Sequence, residues 1–98
     1  MKQVLVNKLQ NFFTMQPVEK AWIFGSYSRG EETRKSDIDI LVRFNDDAHI
    51  SLFDYVRIIH SLEDVLHKKV DLVEDGQLKN FAKNSAEKDK ILVYERKN

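Results

Sequence analysis

Cysteine is absent from this chain, so no disulfide braces the fold and no thiol does chemistry. An excess of either charge is missing as well: sixteen basic and sixteen acidic side chains cancel. Without a net field to draw it onto phosphodiester backbones or anionic lipid, the chain is expected neither to bind nucleic acid directly nor to sit on a membrane. The same balance argues against a polymerase that tracks a template by itself. No long apolar run and no signal peptide are present, which together lead to the expectation of a cytoplasmic protein. Proline occurs once and glycine three times, and no linker, repeat or low-complexity tract divides the chain. Residues 1–98 therefore read as a single domain, large enough for one core and too short for a second catalytic or recognition module. Apolar side chains are plentiful, at 42%, and support a folded globule.

The pattern along the chain predicts an α/β (α+β) domain, a small mixed sheet with helices packed against it. Val4, Leu5, Leu9, Phe12 and Phe13 recur at helical spacing between Lys2 and Met15, and Pro17 ends that helix. Glu19 to Phe24 reads as a first strand and Asp37 to Phe44 as a second, with a polar loop from Arg29 to Ser36 between them. After a turn over Asn45 to His49, Ser51 opens a long helix, with Asp54 three residues on as a capping pair. Leu52, Val56, Ile59, Leu62 and Leu66 form its expected apolar stripe. Val70 to Val73 is a third strand, Leu78 to Lys88 a helix candidate, and Ile91 to Tyr94 a last strand. A helix between the second and third strands suits a crossover joining parallel neighbours.

Chemistry concentrates in two short stretches. Side chains alternate along a strand, so Ile38, Ile40, Val42 and Phe44 share one face while Asp37, Asp39 and Leu41 share the other. The two carboxylates then lie about 6.5–7 Å apart along the strand. Acids this close disfavour each other's ionised form unless a cation or donor compensates. Magnesium is suited to that task, since it takes oxygen ligands, keeps several waters and is commonly held by one or two carboxylates plus substrate phosphates. The first strand runs directly into Gly25-Ser26. Glycine lets the backbone approach an anion closely, and Ser26 can offer a hydroxyl and an N–H to phosphate oxygens. If one strand ends at this bend and the other begins there, the two lie antiparallel. By the same alternation Asp71 points away from the core that Val70 and Leu72 enter, which makes it a third metal ligand or a general base.

Other chemistry-bearing residues read more plainly. His49, His60 and His67 have no metal-ligand spacing with neighbouring acids and are expected to be solvated. Phe12, Phe13, Trp22, Phe24, Phe53 and Phe81 are expected in the core, and Tyr27 is the aromatic best placed to stack on a base.

Gly25-Ser26, ten intervening residues, then Asp37-Ile38-Asp39 resembles the signature of the DNA polymerase β-like nucleotidyltransferase superfamily. The fuller Gly-Ser-Tyr-Ser-Arg-Gly … Ser-Asp-Ile-Asp-Ile-Leu-Val, in so short a chain, is most similar to the minimal nucleotidyltransferases, and the resemblance covers nearly the whole protein. It implies that Gly25 and Ser26 contact a nucleoside triphosphate, that Asp37 and Asp39 hold metal, and that Asp71 completes the triad. Arg29 and Ser36 match recurrent motif positions and would support phosphate or the loop. Ser28 departs from the alanine more usual there. ATP as substrate and two Mg²⁺ ions per site are further implications, as is a HEPN-domain toxin as partner, in a homo- or hetero-oligomer. The expected function is transfer of AMP to a hydroxyl on that toxin, which makes the chain an antitoxin. Two alternatives remain open: an antitoxin that blocks its partner by binding alone, and a transferase acting on a small molecule of the aminoglycoside type. Enzymes of the latter kind usually carry an extra helical domain, which this chain lacks.

Overall fold

A computed structural model describes residues 2–77 and 86–97, and among these residues four strands and three helices are delimited. In order they are α1 (Gln3–Thr14), β1 (Val18–Phe24), α2 (Ser26–Arg29), β2 (Ile38–Phe44), α3 (Leu52–Leu66), β3 (Val70–Glu74) and β4 (Ile91–Glu95). The strands form one mixed sheet in the order β3-β2-β1-β4. β1 pairs antiparallel with both β2 and β4, whereas β2 and β3 run parallel. The parallel pair is joined by α3, as a crossover of that kind requires. Much of the helix expected over Leu78 to Lys88, and Phe81 with it, lies outside the described residues; residues 86–89 form a helical turn. No helix among the described residues is long and apolar enough to cross a membrane.

The sheet has two unlike faces. On one, Ile38, Ile40 and Val42 of β2 join Ala21 and Ile23 of β1, Val70 and Leu72 of β3 and Val93 of β4 in a core closed by Leu9 and Phe13 of α1 and by Ile58 and Leu62 of α3. Alternation then forces the residues between them onto the opposite face. There a smaller cluster forms from Trp22, Leu41 and Ala86, with half-buried Phe24 and Val73 against it.

The helices rotate differently from their expected stripes. Val4 is 65% exposed, and α1 packs through Leu5, Leu9, Phe12 and Phe13 instead. On α3 the outliers are Leu52 (74% exposed) and Val56 (40%); Tyr55, Ile58, Ile59, Leu62 and Leu66 make the seam. Tyr55 lies on this seam, where its hydroxyl donates to the Leu72 carbonyl of β3. Phe53, expected in the core, is turned outward at 82% exposure.

Ser51 begins α3 as expected. Its Oγ accepts from the Asp54 N–H, and the Asp54 carboxylate accepts from the Ser51 N–H, each at 3.1 Å. Ser51→Ala should therefore lower stability by about 1 kcal/mol. The measurement is a urea midpoint that falls at constant slope; an unshifted midpoint would mean that the cap contributes nothing.

Candidate active site

The acids are placed by strand pairing. Across β1 and β2, Phe24 is the register partner of Asp39 and Trp22 that of Leu41. Across β2 and β3, Asp39 is the partner of Asp71 and Leu41 that of Val73. Register partners point to the same face, so two rows cross the sheet: Phe24–Asp39–Asp71, and beneath it Trp22–Leu41–Val73. Adjacent strands lie about 4.8 Å apart, which sets Asp39 and Asp71 side by side. Asp37 stands just before β2 and two residues from Asp39, on the same face by alternation. Its neighbour Ile38 is tied by its N–H to the Lys69 carbonyl at 3.0 Å, which fixes the start of β2 against the start of β3.

Asp39 is the half-buried member of the trio, while Asp37 and Asp71 are exposed. Burial pushes the Asp39 carboxyl above its ordinary value, the charges of Asp71 and then Asp37 push it further, and Arg29 opposes them. The direction matches a carboxylate crowded by like charge. Among the described residues, no group of three acidic or histidine side chains stands at metal-ligand spacing. The donor chemistry is carboxylate oxygen alone. That set fits a hard divalent cation such as Mg²⁺, and lacks the nitrogen or sulfur ligands that zinc prefers.

Gly25 packs directly against this site. Its backbone (φ 72°, ψ −151°) is a conformation reserved in practice for glycine. A methyl group added there would overlap Oδ2 of Asp39. The bend and the central acid thus occupy adjoining space. Ser26 follows as the first residue of the four-residue α2, whose turn is closed by the Ser28 and Arg29 N–H groups donating to the Gly25 carbonyl at 3.1 and 3.3 Å. Ser28 Oγ also donates to that carbonyl, at 2.7 Å.

The remaining expected site residues are placed unevenly. Arg29 lies near enough to Asp39 to affect its titration, and its guanidinium is held by Asp89 and Glu31. Ser36 Oγ accepts from the Thr33 N–H at 2.9 Å, which makes it a brace of its own loop. Tyr27 packs against the core and lines a cavity with Leu5, Ile38 and Leu66. That places it on the face opposite the acids, away from the position of a base stacker. Phe24 is the aromatic beside Asp39 instead. Its place follows from the β1–β2 register, which sets Phe24 opposite Asp39. Asp89 had no such signal. A separate cleft of about 990 Å³ opens at the other end of β2, among Phe44, Tyr55, Glu74 and Asp75, remote from the carboxylates.

The sequence profile of the nucleotidyltransferase domain matches residues 5–93. A Methanocaldococcus jannaschii protein, MJ1379, named provisionally as a protein adenylyltransferase, is 43% identical over 77 residues, 78% of this chain and 77% of its own length. A solved structure, named provisionally as a minimal nucleotidyltransferase, superposes with a TM-score of 0.74 at 26% identity, covering 91% of this chain and 89% of that one. The fold is also shared, at a TM-score of 0.72 and 20% identity, with a chain from the complex of a tri-AMPylated Shewanella oneidensis HEPN toxin and its MNT antitoxin, covering 98% of this chain and 74% of that one. This chain therefore belongs to the nucleotidyltransferase domain family, with the fold of the minimal nucleotidyltransferases.

Proposed function

We propose that this chain transfers AMP from ATP to a hydroxyl on a HEPN-domain protein and thereby silences it. The observation that carries the proposal is the register of Asp39 with Asp71 beneath the Gly25 bend. Support for the adenylyl group and its acceptor comes from the name of the 43% identical relative and from the AMPylated toxin in the complex that shares the fold. Asp37 and Asp39, with Asp71 beside them, are the residues that would hold Mg²⁺. When bound, that cation would neutralise charge on the attacking and leaving oxygens of an in-line displacement at the α-phosphorus.

The chain's own side chains account for the rest. Gly25, having no side chain, lets the Asp39 carboxylate lie against the bend, and so keeps the central acid beside the phosphate turn. Ser26 contributes its N–H and hydroxyl to the phosphates that depart as pyrophosphate. Asp71, exposed at the end of the row, would accept the proton of the acceptor hydroxyl. Arg29 adds positive charge beside the same row. The row Trp22–Leu41–Val73 borders the acids on the same face and makes that flank of the site apolar, where charge interactions are stronger than in water. Such catalysis is chiefly positioning and charge neutralisation.

The decisive experiment incubates the purified chain with ATP, Mg²⁺ and a candidate HEPN-domain partner from the same source, then weighs that protein. The expected result is one or more added AMP groups, lost in the Asp37→Asn variant and on chelation of the metal. Silencing of the partner with no change in its mass would favour inhibition by binding alone.

A further inference from the structure

The turn at residues 86–89 and the lysine after it are docked on the acid face of the sheet. Ala86 is 3% exposed and completes the Trp22–Leu41 cluster. The Lys90 N–H donates to the Ala86 carbonyl at 2.8 Å and closes the turn. Lys90 Nζ sits 4.7 Å from the centre of the Trp22 ring, a cation–π arrangement, and pairs with Glu87 at 2.9 Å. Between these anchors Asp89 reaches Arg29: its Oδ2 accepts from Nη1 of the guanidinium at 2.9 Å. Glu31 holds Nε of the same group at 3.3 Å. Asp89 is the more sheltered of the two acids, 20% exposed against 63% for Glu31. No hydrogen bond involves Nη2 of Arg29 among the described residues.

From this arrangement we infer that Asp89 is a positioning residue for nucleotide binding, holding Arg29 by its Nη1 edge so that the guanidinium is preset for the triphosphate. The inference rests on the nucleotidyltransferase activity proposed above. Arginine is a long side chain with several rotatable bonds, and fixing it on an anion costs much rotamer entropy. An acid that holds it beforehand removes part of that cost from the binding step. Asp89 can do so because Ala86 and Lys90 pin its segment to the same sheet face as Asp39. Arg29 ends the turn that Gly25 and Ser26 begin, so its preset position is carried by the phosphate bend itself. The residues just before β4 therefore form a second wall of the site, contributed from a part of the chain remote from the glycine-serine motif.

The test measures binding of Mg·ATP by calorimetry, and transfer kinetics, in the full chain and in Asp89→Asn, Asp89→Glu, Arg29→Gln and the double variant Arg29→Gln/Asp89→Asn. The expected result for Asp89→Asn is a dissociation constant and KM for ATP raised roughly two- to fivefold, the scale of a half-exposed ion pair, with kcat nearly unchanged. Asp89→Glu should restore most of that loss, and adding Asp89→Asn to Arg29→Gln should change binding little further. A merely structural role for Asp89 would give losses that add to those of Arg29→Gln. Additive losses, or ATP binding in Asp89→Asn as tight as in the wild type, would overturn the inference and leave the transferase assignment standing. Failure of the wild-type chain to bind Mg·ATP would remove both.

Discussion

Replacing Asp39 by asparagine is expected to lower transfer on the order of 10²- to 10³-fold while raising the melting temperature of the metal-free protein at neutral pH. The two effects share one cause. Asp39 is the half-buried acid between Asp37 and Asp71, and its carboxyl is pushed up first by burial and then by those two charges. A group whose folded pKa lies above its unfolded value contributes stability fully at acid pH, and that contribution is lost as pH rises through the folded value. At neutral pH the ionised Asp39 is therefore a strained group, and the neutral amide relieves it. Asparagine also weakens any hold on a divalent cation, since it removes one formal charge from the set. The measurements are thermal unfolding in chelator between pH 4 and 8, and AMP transfer with Mg²⁺. Added Mg²⁺ should stabilise the wild type more than the variant. Wild-type transfer by Asp39→Asn, or a melting temperature that falls throughout this range, would remove Asp39 from the centre of the site.

Gly25→Ala is expected to be the second most damaging change, costing about 1–3 kcal/mol in stability and on the order of 10²-fold in transfer. Its backbone angles are strained for any side chain, and the added methyl would overlap Oδ2 of Asp39. Either the bend or the central carboxylate must move. Displacement of either separates the phosphate contact from the acid row, and misplacement by about 1 Å is enough for a loss of that size. Gly30 supplies the control. It also has positive φ, 71°, yet a methyl there would meet nothing within 4 Å. Gly30→Ala should cost about 1 kcal/mol from its left-handed backbone alone and leave transfer close to wild type. Equal losses of activity in both variants would show that backbone strain, rather than the contact with Asp39, is what matters.

Much of this site was legible in one dimension because a strand has a period of two. Once β2 was recognised, alternation fixed Asp37 and Asp39 on the face opposite Ile38, Ile40 and Val42, and the same rule turned Asp71 away from Val70 and Leu72. The run of β1 into Gly25-Ser26 fixed the antiparallel return. The Ser51–Asp54 cap was equally local, since its partners are three residues apart. Helix rotation was less legible. Adjacent apolar residues such as Leu52, Phe53, Tyr55 and Val56 can each claim a place in the stripe, and nothing local chooses among them.

From its own order of residues, the chain determined its mixed α/β class, the bend, and the face on which each acid lies, because those depend on short-range periodicity and backbone preference. Tertiary structure decided which residues meet across elements. The pairing of Asp39 with Asp71 needs the offset between two parallel strands, whose starts are tied by the Ile38 N–H on the Lys69 carbonyl. The contact of Gly25 with Asp39, the place of Phe24 beside that acid, and the hold of Asp89 on Arg29 likewise exist only after the sheet has closed. Local periodicity assigns a side chain to a face, but register and docking are fixed by the packing of the whole sheet against its helices.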